Sequence, residues 1–243
     1  MSLKVIAMIP ARYAASRFPA KLMKLLGDKP VIVHTYEAAV SSGLFDDVYV
    51  ITDSDLIFQE ITSRGGKAIM SVAEHESGTD RIAEAARNLD ADVIVNVQGD
   101  EPFIQKEPLE KIVQLFENEH VQVASLKRKM DNPEDASNPN MVKVVTSKSG
   151  RALYFSRSIL PFQRDTDSAV DYFLHIGVYA FRKAVLQLFT TLPQAPLEQI
   201  EKLEQLRFLY NDIDIHMAET SYKNIAIDTP EDSEKALTII NKK

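Results

Sequence analysis

Gln98, Asp100 and Glu101 follow directly on the apolar run Val93-Ile94-Val95-Asn96-Val97. Carboxylates bind hard cations, and carboxylates and amides hydrogen-bond to hydroxyl groups. The run itself suits a strand buried on both faces, and in an open α/β sheet ligands sit outside the carboxyl ends of the strands. A plain surface turn also reads Gly-Asp-Glu-Pro, so the rest of the chain has to decide. A second cluster lies in Pro10-Ala11-Arg12-Tyr13-Ala14-Ala15-Ser16-Arg17-Phe18-Pro19-Ala20-Lys21, where Arg12, Arg17 and Lys21 gather after the first strand. Such a loop can wrap a polyphosphate with cations and backbone N–H groups. It has neither Gly-Lys-Ser/Thr nor G-x-G-x-x-G, so it is no P-loop and no dinucleotide fingerprint. A solvated basic turn is the competing reading, and Lys24 and Lys29 fit solvent better.

Four further stretches carry candidate side chains. In Glu74-His75-Glu76-Ser77-Gly78-Thr79-Asp80-Arg81, Gly78 would let backbone approach a flat base and Arg81 could reach phosphate, while Thr79 offers an ordinary helix cap. His75 and His34 lack metal spacing to another histidine, which argues against zinc. Arg157 stands beside aromatics in Leu153–Pro161, where it could fork onto a carboxylate or sit on an exposed edge strand. Alternation puts His175, Gly177 and Tyr179 on one strand face, as a polyol site or as core residues. Asp228 closes a strand and precedes a helix, so its value depends on folding back beside Asp100.

Alternating elements must position these groups. Strands are expected at Lys4–Ile9, Val48–Thr52, Ala68–Ser71, Asp92–Val97 and Val121–Leu126, with helices at Val31–Ser42, Asp55–Ser63, Thr79–Leu89 and Pro108–Asn118. That rhythm implies right-handed crossovers and a mostly parallel sheet covered on both faces. Beyond residue 127 it changes to a polar loop at Asp131–Asn140 and strands at Val142–Thr146, Ala152–Phe155, His175–Phe181 and Ile213–Ala218. Leu197–Tyr210 reads as one amphipathic helix with Leu197, Ile200, Leu203 and Leu206 on its stripe and most charges solvated. Pro230–Ile240 closes the chain, with Thr229 as its cap. Residues 1–243 are expected to form a single domain, with about 130–222 a smaller β-rich lobe that walls the site or forms a subunit interface.

Composition narrows the function classes. The net charge is −7, from 28 Lys plus Arg against 35 Asp plus Glu, which disfavours nucleic acid as a partner. The absence of cysteine excludes disulfides and thiolate metal sites. The apolar run in Met1–Pro10 is too short for a membrane helix and lacks a cleavage signal, so a cytoplasmic protein with no membrane partner is expected.

Read together, IPARYAASRFPAK, ESGTDR, VNVQGDEP, NPNMVKVV, ALYFSRSILP, HIGVYAFR, PLEQIEKLEQLR and IDTPEDSEKA occur in an order that closely resembles the CMP-Kdo synthetases. These cytidylyltransferases activate 3-deoxy-D-manno-octulosonate (Kdo) for lipopolysaccharide biosynthesis. The resemblance implies a Rossmann-like nucleotide-diphospho-sugar transferase fold, CTP and Kdo as substrates, Mg²⁺ as cofactor and a homodimer built largely through the later lobe. It also implies residue roles. Arg12 and Lys21 would hold the triphosphate with Arg17 nearby, and Arg12, Lys21 and Asp100 would carry catalysis. Backbone at Ala11 and at Ser77-Gly78 would read cytosine, with Arg81 supporting the nucleotide. Asp100 and Asp228 would bind the metal. Gln98, Arg157, His175, Tyr179, Glu204 and Gln205 would line the sugar-acid pocket.

Two positions depart from the family pattern. Ala20 stands where relatives usually carry glycine; were a positive φ needed there, alanine would cost about 1 kcal/mol and shift the loop bearing Lys21. Leu174 stands where a basic residue commonly precedes the histidine, which implies a missing outer contact. No clear protein general base stands out, with His175 a weak candidate. The competing activities are a cytidylyltransferase for sialic acid or an amino-Kdo, a non-catalytic CTP sensor, and a glycosyltransferase.

Overall fold

The first strand, Val5–Ala11, is buried along almost its whole length, and its neighbour Val93–Asn96 is buried throughout. Neither shows the in–out alternation of a half-solvated strand, as expected of parallel strands covered on both faces. The computed structural model describes residues 3–13, 18–75, 77–165 and 169–240. In chain order the elements begin with β1 (Val5–Ala11), β2 (Leu25–Leu26), β3 (Lys29–Pro30), α1 (Val31–Ser41), β4 (Asp47–Thr52), α2 (Asp55–Ser63), β5 (Ala68–Met70), α3 (Gly78–Ala86), β6 (Val93–Asn96) and α4 (Lys106–Gln114). They continue with β7 (Val123–Lys129), β8 (Lys143–Thr146), β9 (Ala152–Ser156), β10 (Phe173–Arg182), α5 (Lys183–Phe189), α6 (Pro196–Glu201), α7 (Leu206–Tyr210), β11 (Ile215–Glu219) and α8 (Pro230–Ile240). Two compact units result, Met1–Leu109 with Asn224–Lys243, and Glu110–Lys223.

In the first unit β6, β1, β4 and β5 lie side by side, every pairing parallel. Val93, Ile94 and Val95 are fully buried, and burying each such side chain contributes about 1.5–3 kcal/mol. A charge at Val95 would break the sheet where it carries Asp100. Two glycines bring backbone close to the end of β1. A Cβ on Gly99 would meet the Pro10 carbonyl oxygen at 2.9 Å, and one on Gly78 would meet the Pro10 ring at 3.2 Å. Helix α3 starts at Gly78, one residue earlier than expected, and its cap is Ser77 rather than Thr79: Ser77 Oγ accepts from the Asp80 N–H at 3.1 Å. Thr229 does cap α8, its Oγ1 accepting from the Asp232 N–H at 3.2 Å while Asp232 Oδ2 accepts from the Thr229 N–H at 3.0 Å.

The second unit is mixed. β11 pairs parallel with β7, β7 antiparallel with β10, β10 with β8 at Leu174–Lys143, and β8 antiparallel with β9. A bulge between Ile176 and Tyr179 interrupts the β7–β10 register. The single helix expected over Leu197–Tyr210 is in fact two, α6 and α7, broken at Lys202, which takes φ 53°. The apolar stripe breaks with it: Leu203 and Leu206 are buried, whereas Ile200 is 78% exposed. Leu174 packs with Met130, Ala136 and Tyr172. Strand alternation turns this side chain away from that of His175, so the position carries core packing.

Candidate functional site

In the first unit the expected cluster forms around one ammonium. Lys21 Nζ donates to Asp100 Oδ2 at 2.5 Å and to Asp228 Oδ1 at 2.8 Å. Asp100 stands just past β6, and Asp228 just before α8. The Ile227 N–H donates to the Asp100 carbonyl at 2.9 Å, so backbone as well as charge ties the returning segment to the strand end. Lys21 opens a 3₁₀ turn whose preceding residue, Ala20, has φ 53° and ψ 27°. The position therefore does demand the left-handed conformation that favours glycine, yet Lys21 still reaches both carboxylates. Burial pushes its ammonium down, but the charge of Asp100 and the hydrogen bonds it donates to both carboxylates outweigh that and leave it above the ordinary lysine value.

Among the described residues, two carboxylates converge on one ammonium here. Among the described residues no group of three or more Asp, Glu, His or Cys gathers to hold a metal. Mg²⁺ commonly binds through one or two carboxylates and completes its shell with substrate phosphates and water. The Asp100–Asp228 pair fits such an ion.

The remaining first-unit candidates are distributed around the ends of β1 and α3. Arg12 Nη2 donates to the His75 carbonyl at 2.9 Å, and His75 in turn pairs with Glu84 at 2.7 Å. Ala11 is buried as the last residue of β1, and Gln98 is half-buried beyond β6. Arg81 is 2% exposed; its Nη2 donates to Asp53 Oδ2 at 2.7 Å, while Nε and Nη1 are buried with no hydrogen-bond partner among the described residues. Buried guanidinium nitrogens without partners are rare and call for a reason. Arg17 lies outside the described residues. Asp53 was missed in the sequence, although a carboxylate just past the strand Val48–Thr52 is the signal that drew attention to Asp100.

The second unit holds the other set. The rings of Phe155, His175 and Tyr179 form a column, with centroids 5.1 and 5.3 Å apart, continued by Phe181 at 5.8 Å. Ser125 Oγ lies 3.1 Å from His175 Nε2 and 2.9 Å from the Val178 carbonyl. The same hydroxyl also lies 3.2 Å from the Ile176 carbonyl, so it ties the His175 ring to the backbone of the bulge. Ser125, a lone hydroxyl within an apolar strand, is a second residue that sequence reasoning missed. Burial lowers the imidazole of His175 to about 3, which keeps it neutral and unsuited as a base near neutrality. Burial, and then the charge of Glu204, raises the Tyr179 phenol well above its ordinary value. Gln205 Nε2 is buried without a hydrogen-bond partner among the described residues.

Arg157 is held tightly. It donates from Nε to the Glu201 carbonyl at 2.7 Å, from Nη1 to the Pro139 carbonyl at 2.9 Å, and from Nη2 to the Lys202 carbonyl at 3.3 Å. A guanidinium has five N–H groups, so each terminal nitrogen retains one.

Residues 6–215 match the family profile described as cytidylyltransferase. This chain belongs to the cytidylyltransferase family. Among relatives of this cytidylyltransferase, the 3-deoxy-manno-octulosonate cytidylyltransferase of Flavobacterium johnsoniae is 58% identical over 241 residues, covering 98% of this chain and 99% of the relative. The protein of the same description from Christiangramia forsetii is 54% identical over 241 residues, covering 98% and 97%. The solved structure of CMP:2-keto-3-deoxy-manno-octonic acid synthetase complexed with CTP superposes with a TM-score of 0.94 at 38% identity, covering 98% of this chain and 99% of that one. A 4-diphosphocytidyl-2C-methyl-D-erythritol synthase from Anaerococcus prevotii shares the fold at 17% identity and a TM-score of 0.66. The expected α/β fold with its mostly parallel sheet is thereby borne out.

Proposed function

We propose that this cytidylyltransferase couples CTP to 3-deoxy-D-manno-octulosonate, giving CMP-Kdo and pyrophosphate. The observation that carries the reading is the convergence of Lys21 with Asp100 and Asp228 in a chain 58% identical to a relative bearing that description. The anomeric hydroxyl of the sugar acid attacks the α-phosphorus. The bond from that phosphorus to the bridging oxygen breaks, and pyrophosphate leaves. Positioning and electrostatics supply most of the acceleration in such a transfer. Arg12 and Lys21 neutralise the β- and γ-phosphates and the leaving group, and the family resemblance adds Arg17, outside the described residues, to that role. Ala11 and the Ser77-Gly78 turn read cytosine, and the unpartnered nitrogens of Arg81 serve the nucleotide.

Asp100 and Asp228 would hold Mg²⁺, which when bound would supply Lewis-acid stabilisation of phosphate charge and favour ionisation of the attacking hydroxyl. Arg157, His175, Tyr179, Glu204 and Gln205, all of the second unit, take the sugar acid. The free N–H groups of Arg157 suit its carboxylate, and the buried Tyr179 Oη and the unpartnered Gln205 Nε2 suit its hydroxyls. His175 orients as a neutral donor and acceptor.

The working form is a homodimer built through the second unit. Phe162, 82% exposed, and Ile200, 78% exposed, support that assembly. No helix among the described residues is long and apolar enough to cross a membrane. A cysteine-free chain suits the reducing cytoplasm.

The deciding experiment mixes CTP with Kdo, an amino-Kdo or sialic acid, with and without Mg²⁺, and follows pyrophosphate release. Release with Kdo and Mg²⁺ is the expected result. Equal or faster release with another sugar acid would replace the substrate, and CTP binding without release would favour a sensor. Light scattering on Phe162→Asp tests the assembly: it is expected to move the mass from dimer to monomer.

A further inference from the structure

The break between α6 and α7 leaves Glu201 at the last position of α6 and carries the chain through Lys202 to Glu204 and Gln205. Glu201 does more than end a helix. Its Oε1 accepts from Ser156 Oγ at 2.7 Å, its Oε2 from the Arg157 N–H at 3.0 Å, and its carbonyl from Arg157 Nε at 2.7 Å. Ser156 Oγ in turn accepts from the Ser158 N–H at 3.0 Å, so the carboxylate fixes the whole turn at the end of β9. Behind it stands Lys143, fully buried, whose Nζ donates to the Arg157 carbonyl at 2.6 Å and the Asn138 carbonyl at 3.0 Å. Arg157 therefore has its backbone N–H, its carbonyl and its guanidinium all pinned, from three segments of chain. On the far side of the break, Glu198 and Arg207 lock α6 to α7 through bonds of 2.9 and 2.6 Å.

We propose that Glu201 is a positioning residue for the sugar-acid half of the reaction, aiming Arg157 and setting the turn that presents Glu204 and Gln205. The proposal rests on the assignment of those three residues to the sugar acid. Every group that Glu201 holds lies in the second unit, whereas Arg12, Lys21, Ser77 and Arg81 lie in the first. Loss of Glu201 should therefore separate the two substrates, which a merely structural role would not do.

The test is steady-state kinetics of Glu201→Gln and Glu201→Ala with each substrate varied in turn, with Glu201→Asp as the conservative rescue. At metal sites, loss of an outer orienting partner typically costs ten- to a hundred-fold, and the lower end of that range is expected here. The KM for Kdo is expected to rise about tenfold in Glu201→Gln and more in Glu201→Ala, with the KM for CTP changed less than about twofold and Glu201→Asp partly restored. CTP is also expected to raise the thermal midpoint of Glu201→Gln as much as that of wild type. Should Glu201→Ala not fold, Glu201→Gln, which keeps the volume and one acceptor, carries the test alone. An unchanged KM for Kdo, or a matched rise in both KM values, would overturn the proposal while leaving the sugar-acid assignment intact. Absence of Kdo turnover in the wild type would overturn both.

Discussion

Two ion-paired clusters with similar distances have opposite characters. In the second unit Glu198 and Arg207 meet one to one, with each side chain 8% exposed and Glu198 Oε2 also accepting from the Ala195 N–H at 2.9 Å. In the first unit two aspartates share one lysine, and Asp228 keeps 38% of its side chain exposed. The first arrangement is closed, with its charge cancelled and its lone pairs committed. The second leaves its carboxylates partly in solvent around an ammonium that both share. Exposure, more than distance, separates a pair sealed into the fold from one that water reaches.

The sharpest way to break this contrast is Asp100→Asn. Turnover should fall on the order of 10³-fold or more, because the side chain acts where charge develops, with the unfolding midpoint within a few degrees of wild type. A near-wild-type rate would sink the metal assignment. Arg207→Leu should do the reverse. Stranding one partner of a buried pair costs about 3–5 kcal/mol, which lowers the thermal midpoint of a chain this size by roughly 6–20 °C. If calorimetry instead found an unmoved midpoint and assays a lost activity, Glu198–Arg207 would belong with the ligand-facing groups. Lys21→Met should slow turnover about a hundredfold. It should also let Mg²⁺ alone, without CTP, raise the unfolding midpoint more than in wild type, since the ammonium no longer competes for the two carboxylates.

The pH dependence of stability sharpens the contrast from the neutral side. His175 has its folded value lowered to about 3, against about 6.5 in an unfolded chain. Between those values the unfolded state binds more protons, so the contribution is complete above about 6.5 and is lost as pH falls towards 3. A melting series over that window should show wild type losing several degrees more than His175→Gln; parallel curves would refute the burial. The smallest effect is expected at Ala20, where glycine relieves a left-handed alanine but frees the unfolded chain. Ala20→Gly should stabilise by no more than about 1 kcal/mol with kcat unchanged, and a lower kcat would show that the strained turn aims Lys21.

The first unit was largely legible because its signals are local. Its strands are unbroken apolar runs, α8 begins with Thr229-Pro230, and a carboxylate just past a strand marked Asp100. Asp228 could be tied to Asp100 only through the family resemblance, since nothing local says that distant segments meet. The second unit hid more. The stripe from Leu197 to Leu206 predicts one helix, and no Gly or Pro marks a break, yet Lys202 adopts φ 53° where Glu198 clasps Arg207. Tertiary ion pairing overrode periodicity there. Arg157 looked like an open fork, and its carbonyl partners come from segments that pattern reading cannot bring together.

The hydrogen bond from the Ile227 N–H to the Asp100 carbonyl also has a bearing on biosynthesis. Proteins are made from the N-terminus onward, and all of Glu110–Lys223 lies between the two aspartates of the acidic pair. A ribosome-bound chain can lay down β1 and β6 long before the second carboxylate exists. The Lys21 cluster therefore closes late, as the trailing segment docks against the strand made first, and a nascent chain that stalls before Asp228 holds Lys21 without that carboxylate.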